Sequence, residues 1–252
     1  MKAMILAAGL GTRLRPLTND RPKALVEVGG RTLLEITLAR LRMFGIGEVI
    51  VNVHHFADMV VDYLKANNNF GMRIEVSRED ELLDTGGGLK KAAWFFLDSA
   101  GRDEPFILHN VDVISTINLG RMVEFHKQRQ ALATLAMQER ETSRYLLFDG
   151  QLRLCGRRAG RDGVPELVRD CQQVEALAFS GVHVISPGIF PLMTEDGAFS
   201  IVSTYVGLAA REKNILSFRA DEYYWRDLGR QENVAQAERD AASGLYNSGL
   251  ER

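Results

Sequence analysis

Two glycines, an arginine and a lysine near the N-terminus carry the first chemical signal. In Ala7-Ala8-Gly9-Leu10-Gly11-Thr12-Arg13-Leu14-Arg15-Pro16, Gly9 and Gly11 let the backbone bend tightly and present several N–H groups to one anion. Arg13 adds a planar, permanently charged fork suited to phosphate oxygens. Lys23 follows ten residues later, behind Pro22. An extended stretch from Pro16 to Pro22 would return it to the same phosphates as a second cation. A dinucleotide fingerprint needs a third glycine where Leu14 stands, and Pro16 sits badly in the helix that should open there. A P-loop fails for want of Gly-Lys-Ser/Thr. Further along, Asp84-Thr85-Gly86-Gly87-Gly88 opens a helix whose free N–H groups would favour a negative or polar ligand.

Other reactive side chains read as structural. His54 and His55 are neighbours on a strand and point to opposite faces, which excludes a metal pair. His109 and His126 carry no partner pattern. Cys155 and Cys171 lack metal-type spacing and are expected as two reduced thiols of a cytosolic protein.

The run G-x-G-T-R-L-x-P-L-T at 9–18, followed by R-P-K-A-L-V-E-V-G-G at 21–30, resembles the signature of the nucleoside-triphosphate transferase family that makes nucleotide sugars. The likeness extends to about Glu238. Within the family the pattern is most similar to the short bacterial uridylyltransferases acting on N-acetylmuramate 1-phosphate. Heptose- and mannose-1-phosphate guanylyltransferases are close alternatives.

The resemblance implies a Rossmann-like, mainly parallel mixed sheet flanked by helices in a single domain. The nucleotide would lie over the strand C-terminal ends, with Mg2+ held by two aspartates. Asp112, in Asn110-Val111-Asp112, matches the family's N-x-D, although Val111 stands where Gly or Ala is common. Asp227, in Trp225-Arg226-Asp227-Leu228-Gly229, matches W-x-D-x-G. Carboxylates of this kind suit a hard cation. The implied nucleotide contacts are Ala8, Gly9, Gly11, Thr12, Arg13, Glu81, Thr85, Gly86 and Gly87. The sugar phosphate would meet Lys23, Asn110, Ser180 and Gly181, with Arg13, Lys23 and Asp112 as catalytic residues. Many relatives carry Glu-Lys-Pro after the hairpin, with that lysine on the sugar phosphate; here the chain has Leu154-Cys155-Gly156-Arg157-Arg158, so Arg157 or Arg158 is the available substitute. Condensation of a nucleoside triphosphate with a sugar 1-phosphate, releasing pyrophosphate, is the implied reaction. The rivals are a cytidylyltransferase acting on a non-sugar phosphate such as phosphocholine, and a non-catalytic regulatory homologue.

These residues need rigid elements beneath them. An apolar run at 2–8 and another at 48–53 read as strands covered on both faces. Thr32, with Glu35 three places on, caps a helix ending at Gly45. A helix at 58–66, a strand near 72–77, a helix opening at 86–88 and a strand at 105–109 continue the alternation, which argues for right-handed βαβ units. Beyond that, a strand at 132–138, a hairpin around Asp149-Gly150, a polar surface excursion at 157–172, a strand at 179–185 and helices near 200–212 and 230–242 are expected. Residues 1–130 then form a nucleotide-binding half, 131–242 a sugar-binding half, and 243–252 a frayed tail.

At 252 residues the chain suits one domain, and a net charge of −2 gives no basic surface for nucleic acid. No apolar stretch approaches the ~20 residues of a membrane span, so a soluble cytoplasmic monomer or small homo-oligomer is expected.

Overall fold

The computed structural model describes residues 1–97 and 104–246. In chain order the first strand, β1 (Lys2–Leu6), is followed by the short hairpin β2 (Glu27–Val28) and β3 (Arg31–Thr32). Then come α1 (Leu33–Met43), β4 (Glu48–Val53), α2 (Ala57–Ala66), β5 (Arg73–Arg78), α3 (Asp84–Lys91) and α4 (Ala93–Phe96). The middle of the chain holds β6 (Phe106–Asn110), β7 (Val113–Ser115), α5 (Leu119–Gln128), β8 (Ala133–Gln138), β9 (Arg144–Phe148) and β10 (Leu154–Ala159). The last elements are β11 (Glu166–Leu167), β12 (Glu175–Ile185), α6 (Ile201–Ala210), β13 (Ile215–Arg219), β14 (Trp225–Asp227) and α7 (Gln231–Ala242).

The main sheet runs β11-β10-β9-β12-β6-β1-β4-β5, with β8 on the other side of β12 and β13 beyond it. Strands β6, β1, β4 and β5 are parallel, β13 is parallel to β8, and β12 is antiparallel to β6, β8 and β9. This is the mixed α/β sheet expected from the alternating pattern. Its central strands β1, β4 and β6 are mostly apolar because both faces are covered, whereas β5 at one edge and β10 and β11 toward another carry exposed polar residues. On β1, Ala3 and Ile5 enter one core beside Leu34, Leu38 and Val234, while Met4 enters the other beside Phe96, Leu108 and Tyr205. The α1 cap forms as its sequence requires, with Thr32 Oγ1 accepting from Glu35 N at 3.1 Å.

Several expectations change. Two elements, α5 and β13, are not among those expected. Helix α5 is nonetheless amphipathic, burying Leu119, Met122 and His126 at helical spacing with Val123 and Phe125 packed against the core. The 157–172 region is more than a surface excursion. Strand β10 continues to Ala159 and pairs with β11, and Arg169, 9% exposed, donates to Ala209 O at 2.9 Å and Lys213 O at 2.8 Å. The two cysteines expected as reduced thiols, Cys155 and Cys171, are joined in a disulfide. The chain after β11 runs back along β10, Val168 N donating to Cys155 O at 2.8 Å, and that return brings the sulfurs together. The start of the expected tail is not frayed, since Tyr246 is buried and stacks on Tyr224 with ring centroids 4.9 Å apart. Residues 247–252 lie outside the described residues. Among the described residues no helix is long and apolar enough to cross a membrane.

Two buried histidines set a pH dependence. His126 sits between Thr134 Oγ1 and Ser186 Oγ, both at 2.9 Å, and burial pushes its pKa down to about 4. His183 shares a 2.8 Å hydrogen bond with the Tyr205 hydroxyl, and burial, aided by His109, lowers it to about 3. The folded pKa values lie below the unfolded value of about 6.5. Below pH 6.5 the unfolded chain therefore takes up protons that the folded chain refuses, and stability drops as pH falls toward 4. At pH 5 each histidine contributes a loss of up to about 2 kcal/mol. Urea unfolding should show a lower midpoint at pH 5 than at pH 7.5; equal midpoints would contradict this account.

Candidate active site

The glycine loop leaves the C-terminal end of β1, where Leu6 lies in register with Asn52 of β4 on one side and Asn110 of β6 on the other. Ala7 N donates to Asn52 Oδ1 at 2.7 Å, and Asn52 Nδ2 donates to Glu79 Oε1 at 2.6 Å. Glu79 Oε2 in turn accepts from Leu83 N at 3.0 Å. This buried chain of polar groups ties the first bend of the loop to β4, β5 and the start of α3. The sequence reading missed both residues and named Glu81, which is exposed and outside this network. The available signal was a lone asparagine near the end of an otherwise apolar strand.

Gly11 takes a left-handed conformation, φ 63°, which glycine adopts without strain. A Cβ there would lie 3.0 Å from Thr18 Cγ2 and 3.3 Å from Lys23 Cβ, so the Lys23 segment packs directly on the loop. The return of Lys23 thus occurs, but by another route than an extended stretch. Turn hydrogen bonds from Leu17 N to Leu14 O and from Asn19 N to Pro16 O fold 14–19 compactly. Thr18 Oγ1 then fastens it by donating to Gly11 O at 2.8 Å. Beside Gly9 the space is open, with no atom within 4 Å of a built Cβ.

Lys23 forms an ion pair with Asp112, the two side chains 11% and 18% exposed. Asp112 follows β6, and Leu228 N donates to its carbonyl at 2.7 Å. The antiparallel pairing of β7 with β14 sets Asp227 opposite Val113, so the two candidate metal carboxylates come from neighbouring positions of adjacent strands. Asp227 Oδ1 accepts from Gly229 N at 2.6 Å. A Cβ on Gly229 would fall 2.6 Å from that oxygen and 2.9 Å from Arg13 Nη2, which places the Arg13 guanidinium beside Asp227. Arg13, Lys23, Asp112 and Asp227 therefore meet at one end of the sheet, outside the strand C-terminal ends, where open α/β sheets bind ligands. Two hard carboxylates so placed fit a divalent cation.

A cleft of about 1090 Å³ opens from this point, lined by Arg13, Asn110, Tyr145, Gly181 and Asp227 among others. Gly181, φ 73°, sits within a register shift of β12; a Cβ there would lie 2.9 Å from Val113 Cγ2 and 3.0 Å from Asn110 Nδ2. Ser180 offers less than expected, because its hydroxyl is buried and donates to Gln138 Oε1 at 3.2 Å. Its carbonyl accepts from Trp225 Nε1 at 2.7 Å, which orients the indole. Of the two substitutes for the missing lysine, Arg157 is paired with Glu166 at 2.7 Å, whereas Arg158 lies over the Tyr145 ring.

The start of α3 differs from the expectation of free N–H groups. Gly86 N donates to Phe199 O at 2.8 Å, and Thr85 Oγ1 accepts from Ile201 N at 3.0 Å. The glycines are needed because the 197–201 segment crosses so closely. A Cβ on Gly87 would lie 2.3 Å from Gly197 O, and one on Gly86 would lie 2.4 Å from the Phe199 ring. Gly87→Ala should therefore destabilise the fold by about 1–3 kcal/mol through overpacking, seen as a lower urea midpoint. An unchanged midpoint would show that the segment yields freely.

Residues 2–148 match the pattern of the nucleotidyl transferase family. The chain belongs to that family. This nucleotidyl transferase is 35% identical over 251 residues to the N-acetylmuramate alpha-1-phosphate uridylyltransferase of Caulobacter vibrioides, covering 94% of this chain and 95% of that one. It is 31% identical to the mannose-1-phosphate guanyltransferase of Yarrowia lipolytica, which spans all of this chain but is itself covered for 66% of its length. In fold it is similar to a UDP-glucose pyrophosphorylase solved with UDP-glucose, TM-score 0.78 at 17% identity, covering 96% of this chain and 98% of the other. HddC from Yersinia pseudotuberculosis gives 0.72 at 22% identity over 95% and 98%. The transferase is thus an enzyme of nucleotidyl transfer built on the Rossmann-like sheet that its sequence pattern implies.

Proposed function

We propose that the enzyme condenses UTP with N-acetylmuramate 1-phosphate in the presence of Mg2+, releasing pyrophosphate. The observation that carries the choice of substrates is the Caulobacter relative, matched over nearly the full length of both chains. Residues 1–130 would bind the nucleotide and 131–242 the sugar.

Phosphoryl-type transfers depend on alignment and charge stabilisation more than on covalent chemistry. Backbone N–H groups of Ala8 to Arg13, with the Arg13 guanidinium, would hold the β and γ phosphates. Glu81 and Thr85–Gly87 would border the base and ribose, and Asn110 and Gly181 the sugar phosphate, together with the backbone of Ser180. Lys23 would leave Asp112 and lie between the α-phosphate and the incoming sugar phosphate. One oxygen of that sugar phosphate attacks the α-phosphorus in line, the bond to the β-phosphate oxygen breaks, and pyrophosphate leaves. Asp112 and Asp227 would hold the Mg2+, which supplies neutralisation of the phosphate charge.

A matrix of UTP, GTP, CTP and dTTP against a panel of sugar 1-phosphates and phosphocholine, read by pyrophosphate release, tests this. UTP with N-acetylmuramate 1-phosphate should give the highest kcat/KM. A value for GTP at least about tenfold above that for UTP, a gap of roughly 1.4 kcal/mol, would reverse the base assignment.

A further inference from the structure

The cleft holds more positive charge than a sugar monophosphate calls for. Six arginines line it against three carboxylates. Arg13 is placed for the triphosphate, and Arg157 is already paired with Glu166. Arg140 and Arg158 differ from these. Arg140, just past the end of β8, lays its guanidinium on the Trp225 indole with Cζ 3.7 Å from the ring centroid, and donates from Nη2 to Phe179 O at 2.6 Å. Arg158, on β10, holds Cζ 5.2 Å from the Tyr145 ring centroid. The Arg158 guanidinium makes no hydrogen bond or ion pair among the described residues, and Arg140 makes one only from Nη2, so both forks keep N–H donors in the cleft for acceptors that a ligand brings.

In the proposed mechanism Lys23 and the divalent cation would meet the charge of the sugar phosphate itself, which leaves Arg140 and Arg158 for a further anion. A planar guanidinium fork held on an aromatic ring suits two parallel hydrogen bonds to a carboxylate or a phosphate, and with the phosphate met elsewhere the carboxylate remains.

We infer that Arg140 and Arg158 form a receptor for a second anion on the acceptor, a carboxylate borne by the sugar, so that the enzyme's acceptor class is an acidic sugar 1-phosphate. The inference rests on the proposed transfer to a sugar 1-phosphate.

Two acceptors isolate the effect: N-acetylmuramate 1-phosphate and N-acetylglucosamine 1-phosphate differ only in the lactyl ether that carries the carboxylate. Their dissociation constants would be measured by calorimetry for the wild type, Arg140→Gln, Arg140→Lys and Arg158→Gln, alongside pyrophosphate release. Charge-assisted bonds of this kind should make the wild type bind the acidic acceptor at least about tenfold more tightly. Each glutamine variant should cut that preference by roughly fivefold or more, and Arg140→Lys should restore only part of it. Equal affinities in the wild type would overturn the proposal. So would variants that weaken both acceptors by the same factor, because the arginines would then serve the shared phosphate or the fold. If Arg140→Gln does not fold, Arg158→Gln and Arg140→Lys decide the matter on the same ratio. Binding is read without turnover, so selective binding with no transfer would sink the reaction assignment and leave the receptor standing.

Discussion

Lys23→Ala should lower kcat/KM by about a hundred- to thousandfold, the usual loss for one preorganised electrostatic contact, while weakening UTP binding much less. Two phosphates, each negatively charged, must come within bonding range, and a compact ammonium between them offsets the repulsion most when both are present. Lys23→Arg should rescue little, since a planar fork does not replace a point charge in a crowded gap. The ion pair adds a second signature. Lys23 is paired with the Asp112 carboxylate. Removing the lysine frees that ligand, so the nucleotide-free variant should bind Mn2+, a stand-in for Mg2+, more tightly than wild type. Calorimetry of UTP and Mn2+, with initial rates on the same three proteins, tests both parts. Equal losses in binding and rate would make Lys23 an ordinary anchor and contradict the mechanism.

Asp112→Asn should cost at least about a hundredfold in Mg2+-dependent turnover and leave the fold in place. The link that holds this turn is made by the backbone, Leu228 N to Asp112 O, and the substitution does not touch it. Asparagine keeps the shape and removes the charge, leaving Asp227 as the single carboxylate for a divalent cation. Near-normal activity in Mg2+, with an unchanged melting temperature, would remove Asp112 from the metal site.

Local features of the sequence were legible because local rules govern them. The β1 run, the glycine loop, the Thr32 cap and the alternation through β6 all depend on neighbours in the chain, and all appear in the structure. Asp112 and Asp227 lie 115 residues apart, and only the resemblance to a family motif linked them. Their adjacency is a product of the β7–β14 pairing, which short three-residue strands do not announce. The same limit hid the Asn52–Glu79 link, the Phe199 contact that uses the Gly86 N–H, and the Cys155–Cys171 bond. Each joins segments that become neighbours only when the sheet closes. The stacking of Arg140 on Trp225 belongs to this class too, with the positions 85 residues apart.

In the proposed mechanism the nucleotidyl group, α-phosphorus and nucleoside together, passes to a sugar 1-phosphate. UTP labelled at the α-phosphorus, incubated with the enzyme, Mg2+ and N-acetylmuramate 1-phosphate, tests it most directly. The label should appear in a sugar nucleotide, in step with the release of an equal amount of unlabelled pyrophosphate. Label that stays in UTP, or leaves as UDP with release of the γ-phosphate as inorganic phosphate, would contradict the account.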